Sequence, residues 1–317
     1  MTENGGVTVG GSCLLVLEED EWVSRTAAHA AKVDSWTAGR LERASRGRSH
    51  PVDDFLFEYY PTRPGHLRRW HPGLGVALVG STPLVSDPAY ISVEVGGRTA
   101  ITADVARLAR RRDGLAWIEG LLRQTHARPG RFGCFGMHEW AMVYGLDQDA
   151  VRHESWPLRL DPQTIRETVD QTGVRCTHFD AFRFFTPEAV PLNELVPTRE
   201  TQPNLDQPGC LHATMDLYKW SAKYAPYVGS DLVADCFALA RDTRRLDMEA
   251  APYDLSSLGY TPVRVETPDG RADYVRRQHA LTDRAQPLRQ RLAHSLATAL
   301  TALDEHSGRE LLPGSSV

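Results

Sequence analysis

The sequence predicts a mainly helical α+β fold with a small antiparallel β element. Several long segments place apolar residues every three or four positions, which is typical of amphipathic helices. The β signals, alternating β-branched and aromatic residues, concentrate in residues 74–102. Hydrophobic residues make up 41% and charged residues 24% of the 317 residues, as in an ordinary globular protein that buries a core.

Residues 13–130 are predicted to form an N-terminal scaffold of helices and one β-hairpin. The acidic residues at positions 18–21 suit the first turn of a helix, where they face the positive end of its dipole. The Gly-Gly pair at positions 96–97 separates two alternating runs and therefore predicts a hairpin. Asp104 is a suitable N-cap. The expected elements are a strand over residues 13–17, helices over 18–46, 50–60 and 104–125, and strands over 90–95 and 98–102.

Residues 131–305 are predicted to form a C-terminal, mainly helical part that packs with the scaffold as one compact unit. Five prolines between residues 187 and 208 exclude regular structure there and predict a long irregular connection that lines a site. The expected elements are helices over residues 137–145, 162–171, 211–224 and 231–248, terminal helices after residue 270, and an extended segment over 174–185. Residues 1–12 and 309–317 are expected to be disordered.

Composition narrows the classes of function. No apolar run reaches the roughly 18 residues that a membrane span requires, so we expect no membrane partner. The N-terminal residues lack a signal-peptide pattern, and the five cysteines are an odd number placed beside histidines, so we expect a cytoplasmic protein with reduced thiols. The net charge of −5 and the pI near 6.2 give no overall attraction to nucleic acid, and DNA binding would need local arginine contacts.

Residues whose side chains can act in catalysis or metal binding cluster in four short segments, at 133–140, 175–185, 209–220 and 235–247. Three of the segments pair a cysteine with a histidine, and each histidine has a carboxylate within four positions. The pairs are Cys134 with His138, Cys176 with His178 and Cys210 with His212, and the carboxylates are Glu139, Asp180 and Asp216. We expect the three histidines and the three carboxylates to converge on one pocket.

One interpretation of this cluster is a metal centre. His212 and Asp216 are four residues apart, so both side chains face the same side of a helix. His138 and His178 would complete the ligand set, and mixed imidazole and carboxylate ligands suit iron, manganese or zinc. This interpretation predicts a metal-dependent oxidase or hydrolase that acts on a small molecule. The alternative is that each histidine makes a structural hydrogen bond to its neighbouring acid.

A second interpretation is a nucleobase pocket that needs no metal. One of the carboxylates Glu139, Asp180 and Asp216 would activate water or stabilise an oxocarbenium ion. Aromatic side chains would stack on the base, and cations beside an indole would contact phosphate. The stacking candidates are Trp140, Tyr144, Phe182, Tyr218 and Trp220, and the phosphate candidates are Arg68 and Arg69, beside Trp70. The alternative is that these aromatic residues belong to the core.

The motifs of these segments resemble a known family. Four segments are similar to those of actinobacterial proteins usually labelled 3-methyladenine DNA glycosylase: G-C-F-G-M-H-E-W-A-M-V-Y, C-T-H-F-D-A-F-R-F-F-T-P, Q-P-G-C-L-H-A-T-M-D-L-Y-K-W and A-P-Y-D-L-S-S-L-G-Y-T-P-V-R-V-E-T-P-D-G-R-A. The similarity also includes H-P-V-D-D-F-L-F-E-Y-Y and L-R-R-W-H-P-G. The resemblance covers most of residues 20–290. It implies a DNA-repair hydrolase that removes an alkylated purine from DNA in base excision. It carries no catalytic residues over to this chain.

Three functions are therefore predicted from the sequence. The first is the N-glycosylase that the resemblance implies, with alkylated DNA as its partner. The second is the metal-dependent oxidase or hydrolase, which differs from the first in requiring an ion. The third is a binding protein without catalytic activity.

Overall fold

The predicted fold class is confirmed. A computed structural model describes residues 6–9, 12–151 and 156–310. Within these residues the chain forms eleven α-helices, several short 3₁₀ turns and one five-stranded sheet. None of the helices in the described part of the chain is long and apolar enough to span a membrane.

The sheet is small and mixed. Its strands are β1 (Gly6–Val9), β2 (Ser12–Leu17), β3 (Val76–Val79), β4 (Tyr90–Val95) and β5 (Arg98–Ala103), in the spatial order β1-β2-β3-β5-β4. Strands β4 and β5 form the predicted antiparallel hairpin, and Gly96 and Gly97 both have positive φ at its turn. Strands β2 and β3 pair in parallel, which the sequence did not predict. One face of the sheet buries Leu14, Ala77, Val79, Val95 and Ala100.

The prediction that residues 1–12 and 309–317 are disordered is wrong for the positions that the structure describes. Residues 6–9 and residue 12 belong to paired strands, and residues 309–310 continue the last helix. The remaining positions of the two segments expected to be disordered, residues 1–5, 10–11 and 311–317, lie outside the described residues.

Three helices of the first 130 residues follow the prediction with shorter bounds, and a fourth, over residues 64–68, was not predicted. They are α1 (Glu19–Ser45), α2 (Phe55–Tyr59), α3 (Pro64–Arg68) and α4 (Arg112–Ala127). Asp104 caps a 3₁₀ segment, Val105–Arg111, and not the α-helix itself. The helix expected over residues 50–60 begins only at Phe55, because the carboxylate of the buried Asp54 accepts from the His50 amide and from Arg43 and holds the preceding turn.

The remaining helices carry most of the residues of interest. They are α5 (Met137–Ala141), α6 (Pro162–Thr172), α7 (Phe179–Phe182), α8 (Gln202–Leu205), α9 (Leu211–Lys223), α10 (Ser230–Ala250) and α11 (Pro268–Glu310). Helices α6, α9 and α10 agree with the prediction to within two residues. The prediction of an extended segment over residues 174–185 is wrong, since only Val174 of these residues makes a β-bridge and helix α7 follows.

The chain forms two compact units. The first comprises Met1–Gly120, Tyr218–Asp235 and Arg291–Val317, and the second comprises Leu121–Leu217 and Cys236–Gln290. This division differs from the expected single unit with segments 13–130 and 131–305, because helices α9, α10 and α11 each contribute residues to both units. Every residue of the site described next belongs to the second unit.

Candidate functional site

A left-handed turn places Cys134 and His138 at the start of the site. Phe135 has φ of 49° and Gly136 has φ of 74°, and the amide of Met137 donates to the carbonyl of Cys134 at 2.8 Å. A positive φ at a bulky aromatic residue is strained, and such strain is most often found at functional sites. The turn starts α5 and brings the Sγ atom of Cys134 to 3.8 Å from Nδ1 of His138.

The second nitrogen of His138 contacts a carboxylate from helix α10. Nε2 lies 2.8 Å from Oδ1 of Asp247, and both side chains are buried. Arg244, one turn earlier on α10, donates to Oδ2 of Asp247 at 2.8 Å and to Oε1 of Glu139 at 2.9 Å. A single guanidinium therefore joins Glu139 and Asp247 in an ion-pair network that is closed to solvent.

Helix α9 supplies the other half of the cluster. The ring of His212 lies 4.6 Å from that of His138 and 5.3 Å from that of His178, measured between centroids. Asp216, one turn further along α9, has Oδ2 at 3.3 Å from Nε2 of His178. The three histidines and Asp216 therefore form one buried cluster, and of these four only His138 and His212 are among the described residues that line the cavity described below.

Three of these residues are arranged to hold a metal ion. His138, His212 and Asp247 each offer one ligand atom, and the three atoms lie within 4.8 Å of one another. All three side chains are buried. Two imidazoles and one carboxylate are the ligand set of the non-haem Fe(II) facial triad, and manganese and zinc accept the same ligands.

The protonation states differ between the three residues, and His138 has to lose its proton before it can bind an ion. Burial lowers the pKa of His212 well below its ordinary value and the His138 charge adds to this effect, so the His212 ring is neutral and keeps a lone pair. Burial alone would lower the pKa of His138 as well, but the charge and hydrogen bond of Asp247 raise it well above its ordinary value. Burial opposes ionisation of Asp247, whereas His138 and Arg244 lower its pKa, and the carboxylate stays charged.

One ring atom of His212, Nδ1, has no hydrogen-bond partner in the part of the chain that the structure describes. The atom is buried. Leaving such a polar atom unpaired costs about 1–3 kcal/mol. A bound ion or ligand would remove this cost.

A cavity of about 280 Å³ opens beside the cluster. Both His138 and His212 line it, as do the thiols of Cys134, Cys176 and Cys210. Burial raises the pKa of the Cys176 and Cys210 thiols, which are therefore protonated. The Pro-rich segment contributes Glu194, Leu195 and Gln207 to the wall, as its composition predicted.

The structure places the remaining predicted catalytic carboxylates in ion pairs. Glu139 is buried against Arg244. Asp180 is buried at the start of α7 and pairs with Arg183 at 3.3 Å. Among the described residues that line the cavity, neither Glu139 nor Asp180 is present.

The predicted stacking residues are core residues. Trp140 is fully buried and donates to the carbonyl of Ala250, Tyr144 donates to Asp170, and Phe182 packs against Phe185. Tyr218 and Trp220 belong to the first unit, where they contact Tyr60 and Trp117. None of the five lines the cavity within the described part of the chain.

The predicted phosphate contacts are also engaged. In the first unit Arg68 forms a bidentate pair with Asp34, and Arg69 pairs with Asp87 at 3.2 Å. Most of the side chains in these pairs are exposed, so the pairs are weak and can exchange for other anions.

Sequence reasoning missed Asp247 and Arg244. Both lie in the segment 235–247, but Asp247 is 109 positions from His138 and no spacing rule connects the two. The only local signal is the Arg244 and Asp247 pair, three residues apart on one helix face.

Comparison of the chain with protein-family models, with curated proteins and with solved structures finds no match. The geometry of the site is therefore the basis for the function proposed below.

Proposed function

We propose that the chain is a metal-dependent enzyme that acts on a small molecule, with His138, His212 and Asp247 as the metal ligands. One observation carries this proposal: two buried imidazoles and a buried carboxylate present ligand atoms within 4.8 Å of one another beside a cavity. A facial arrangement of three protein ligands leaves coordination positions for substrate and for water or oxygen. Iron, manganese and zinc are the candidate ions.

The residues around the ligands support the same role. Cys134 lies against Nδ1 of His138, and Arg244 donates to Asp247, so two of the three ligands are oriented by a second side chain. Metal ligands are usually fixed in this way, and loss of such partners typically weakens metal binding by about 10- to 100-fold. His178 and Asp216 lie beside His212 and provide an imidazole and carboxylate pair for proton transfer.

The glycosylase activity that the resemblance implies stays a prediction. The aromatic residues expected to stack on a base pack in the core, and the cavity of about 280 Å³ lies at the small end of ligand sites. Release of base from methylated DNA by metal-free protein would favour the glycosylase over our proposal.

A second candidate function rests on the contact between Cys134 and His138. Thiol, imidazole and carboxylate follow one another from Cys134 through His138 to Asp247, with distances of 3.8 Å and 2.8 Å. This is the order of groups in cysteine hydrolases, where a base activates the thiol and a carboxylate orients the base. In this candidate Cys134 is a nucleophile, and His212 is dispensable.

Metal titration of variants separates the two candidates. Calorimetric titration with Fe(II), Mn(II) and Zn(II) under reducing, anaerobic conditions is expected to give one tight site in the native protein. His212→Ala is expected to weaken binding by at least about 100-fold, because one of three protein ligands is lost. Cys134→Ser removes the thiol but no ligand and keeps a hydroxyl that can contact His138, so binding is expected to change by less than about tenfold.

The matched control is His279→Ala, since His279 is an exposed histidine of the same unit that stacks on Phe132. Tight binding that survives His212→Ala would contradict the proposed metal site. Absence of binding in the native protein, combined with rapid alkylation of Cys134 that His138→Ala suppresses, would favour the cysteine hydrolase.

A further inference from the structure

The cavity wall contains a buried acceptor that lacks a donor. Gln278 on α11 is 1% exposed and lines the cavity. Its Nε2 donates to the carbonyl of Gly209 at 2.6 Å, which fixes the amide orientation because the opposite orientation would set two oxygens against each other. Oε1 is buried, and within the described residues no donor reaches it. A ligand O–H or N–H group would satisfy this oxygen.

The same wall contains the guanidinium of Arg131. Arg131 is exposed at the cavity, and in the part of the chain that the structure describes its guanidinium forms no hydrogen bond or ion pair. A second lining arginine, Arg175, is different because it donates to Glu194 at 2.6 Å. A guanidinium binds a carboxylate through two parallel hydrogen bonds. The Glu194 carboxylate also lines the cavity and disfavours a dianion.

We infer that the cavity binds a small carboxylic acid that carries a hydroxyl or amino group. The carboxylate pairs with Arg131, and the O–H or N–H group donates to Oε1 of Gln278. The size of the cavity, about 280 Å³, admits a molecule of this kind. The inference rests on the proposed function, since it names the substrate class of the same metal site.

Four probes test the recognition separately from the metal. Lactate has both groups, propionate lacks the hydroxyl, methyl lactate lacks the charge, and inorganic phosphate is a different anion. Affinities are measured by calorimetry or by ligand-observed NMR on metal-loaded and on metal-free protein. In the native protein lactate is expected to bind on the order of tenfold more tightly than propionate, methyl lactate or phosphate, because it alone satisfies both groups.

Two variants assign the contacts. Arg131→Gln is expected to weaken lactate and propionate by about tenfold and to leave methyl lactate unchanged. The matched control is Arg284→Gln, an exposed arginine of the same unit that pairs with Asp242 and is not among the described residues of the cavity wall; it is expected to change each affinity by less than about twofold. Gln278→Met is expected to make lactate and propionate bind equally. A merely structural loss in Gln278→Met would instead weaken both acids and keep their ratio.

Failure of the inferred acid recognition can be distinguished from failure of the proposed metal site. The protein could bind no metal and still prefer lactate, with the effects expected for Arg131→Gln and Gln278→Met. That result would reject the proposed metal function and support the inferred carboxylic acid ligand. Bound metal with no preference for lactate over propionate and methyl lactate would overturn this inference alone. Tighter binding of phosphate than of lactate, or a preference that persists in Gln278→Met, would also overturn it.

Discussion

Arg244 is the residue on which the charge balance of the site depends. It is 2% exposed and donates to both Glu139 and Asp247, which are buried as well. Removing one partner of a buried ion network usually costs more than removing the whole network, because the remaining charges keep their desolvation penalty.

Arg244→Met is therefore expected to lower the free energy of unfolding by about 3–5 kcal/mol. In the double variant with Glu139→Gln, one of the two carboxylates left behind is neutral. We expect the double variant to be more stable than Arg244→Met alone by at least about 1 kcal/mol, measured by urea denaturation. Equal stability of the single and the double variant would show that the two side chains do not share a charge network.

At the residue scale, the sequence indicated half of the site. His138, His178, His212 and Asp216 were predicted from local pairing of imidazole and carboxylate, and these residues do converge. Asp247 was not predicted, since it reaches His138 only through tertiary packing. The aromatic residues were ambiguous for a physical reason: a tryptophan that stacks on a ligand and one that fills a core have the same sequence spacing.

At the element scale, the start of α11 depends on Gly270. A Cβ atom at this position would lie 1.8 Å from the carbonyl oxygen of Arg264, far inside contact distance. The backbone has to move to admit any side chain. Helix α11 carries Tyr274 and Gln278, so the same movement displaces one wall of the cavity.

Gly270→Ala is expected to destabilise the protein by about 3 kcal/mol, in the upper part of the range for overpacked sites. Gly308→Ala on the same helix is the matched control, since a Cβ there meets nothing within 4 Å. The control is expected to be neutral or stabilising by up to about 1 kcal/mol, because alanine is the better helix former. Thermal unfolding of the two variants checks this, and equal melting temperatures would contradict the account of α11.

Helices could be predicted where the local sequence contains residues that favour a helix start. Asp161 caps α6 and Pro162 follows it, and the start of that helix was predicted at Pro162. The extended segment predicted after Val174 does not form, because the backbone of Cys176 pairs with a side chain and not with a strand. Asn193 accepts from the amide of Cys176 and donates to its carbonyl, and so replaces the β-ladder. No pattern within residues 174–185 contains that information.

At the scale of the whole molecule, the class of fold followed from composition and periodicity, but the division into units did not. The second unit is built from Leu121–Leu217 and Cys236–Gln290, and the residues between these ranges belong to the first unit. A boundary between units that falls inside a long helix cannot be predicted from composition, because the helical pattern of apolar residues continues across it. The expected boundary at residue 130 marked only a Pro-Gly turn.

The net charge of −5 also acts on the molecule as a whole. It disfavours association with a polyanion and favours capture of cations, whereas local charge decides whether a small anion binds. A buried site with two acids joined to one arginine, such as Asp247 and Glu139 with Arg244, fits this role.

Anomalous X-ray diffraction from crystals of the protein loaded with Mn(II) or Zn(II) tests the proposed metal site directly. We expect a single strong anomalous peak bonded to His138, His212 and Asp247, at about 2.0–2.2 Å from the ligand atoms. The peak is expected to vanish in crystals of Asp247→Ala. A peak on the thiols of Cys134, Cys176 and Cys210, or no peak among the three proposed ligands at saturating metal, would contradict the account.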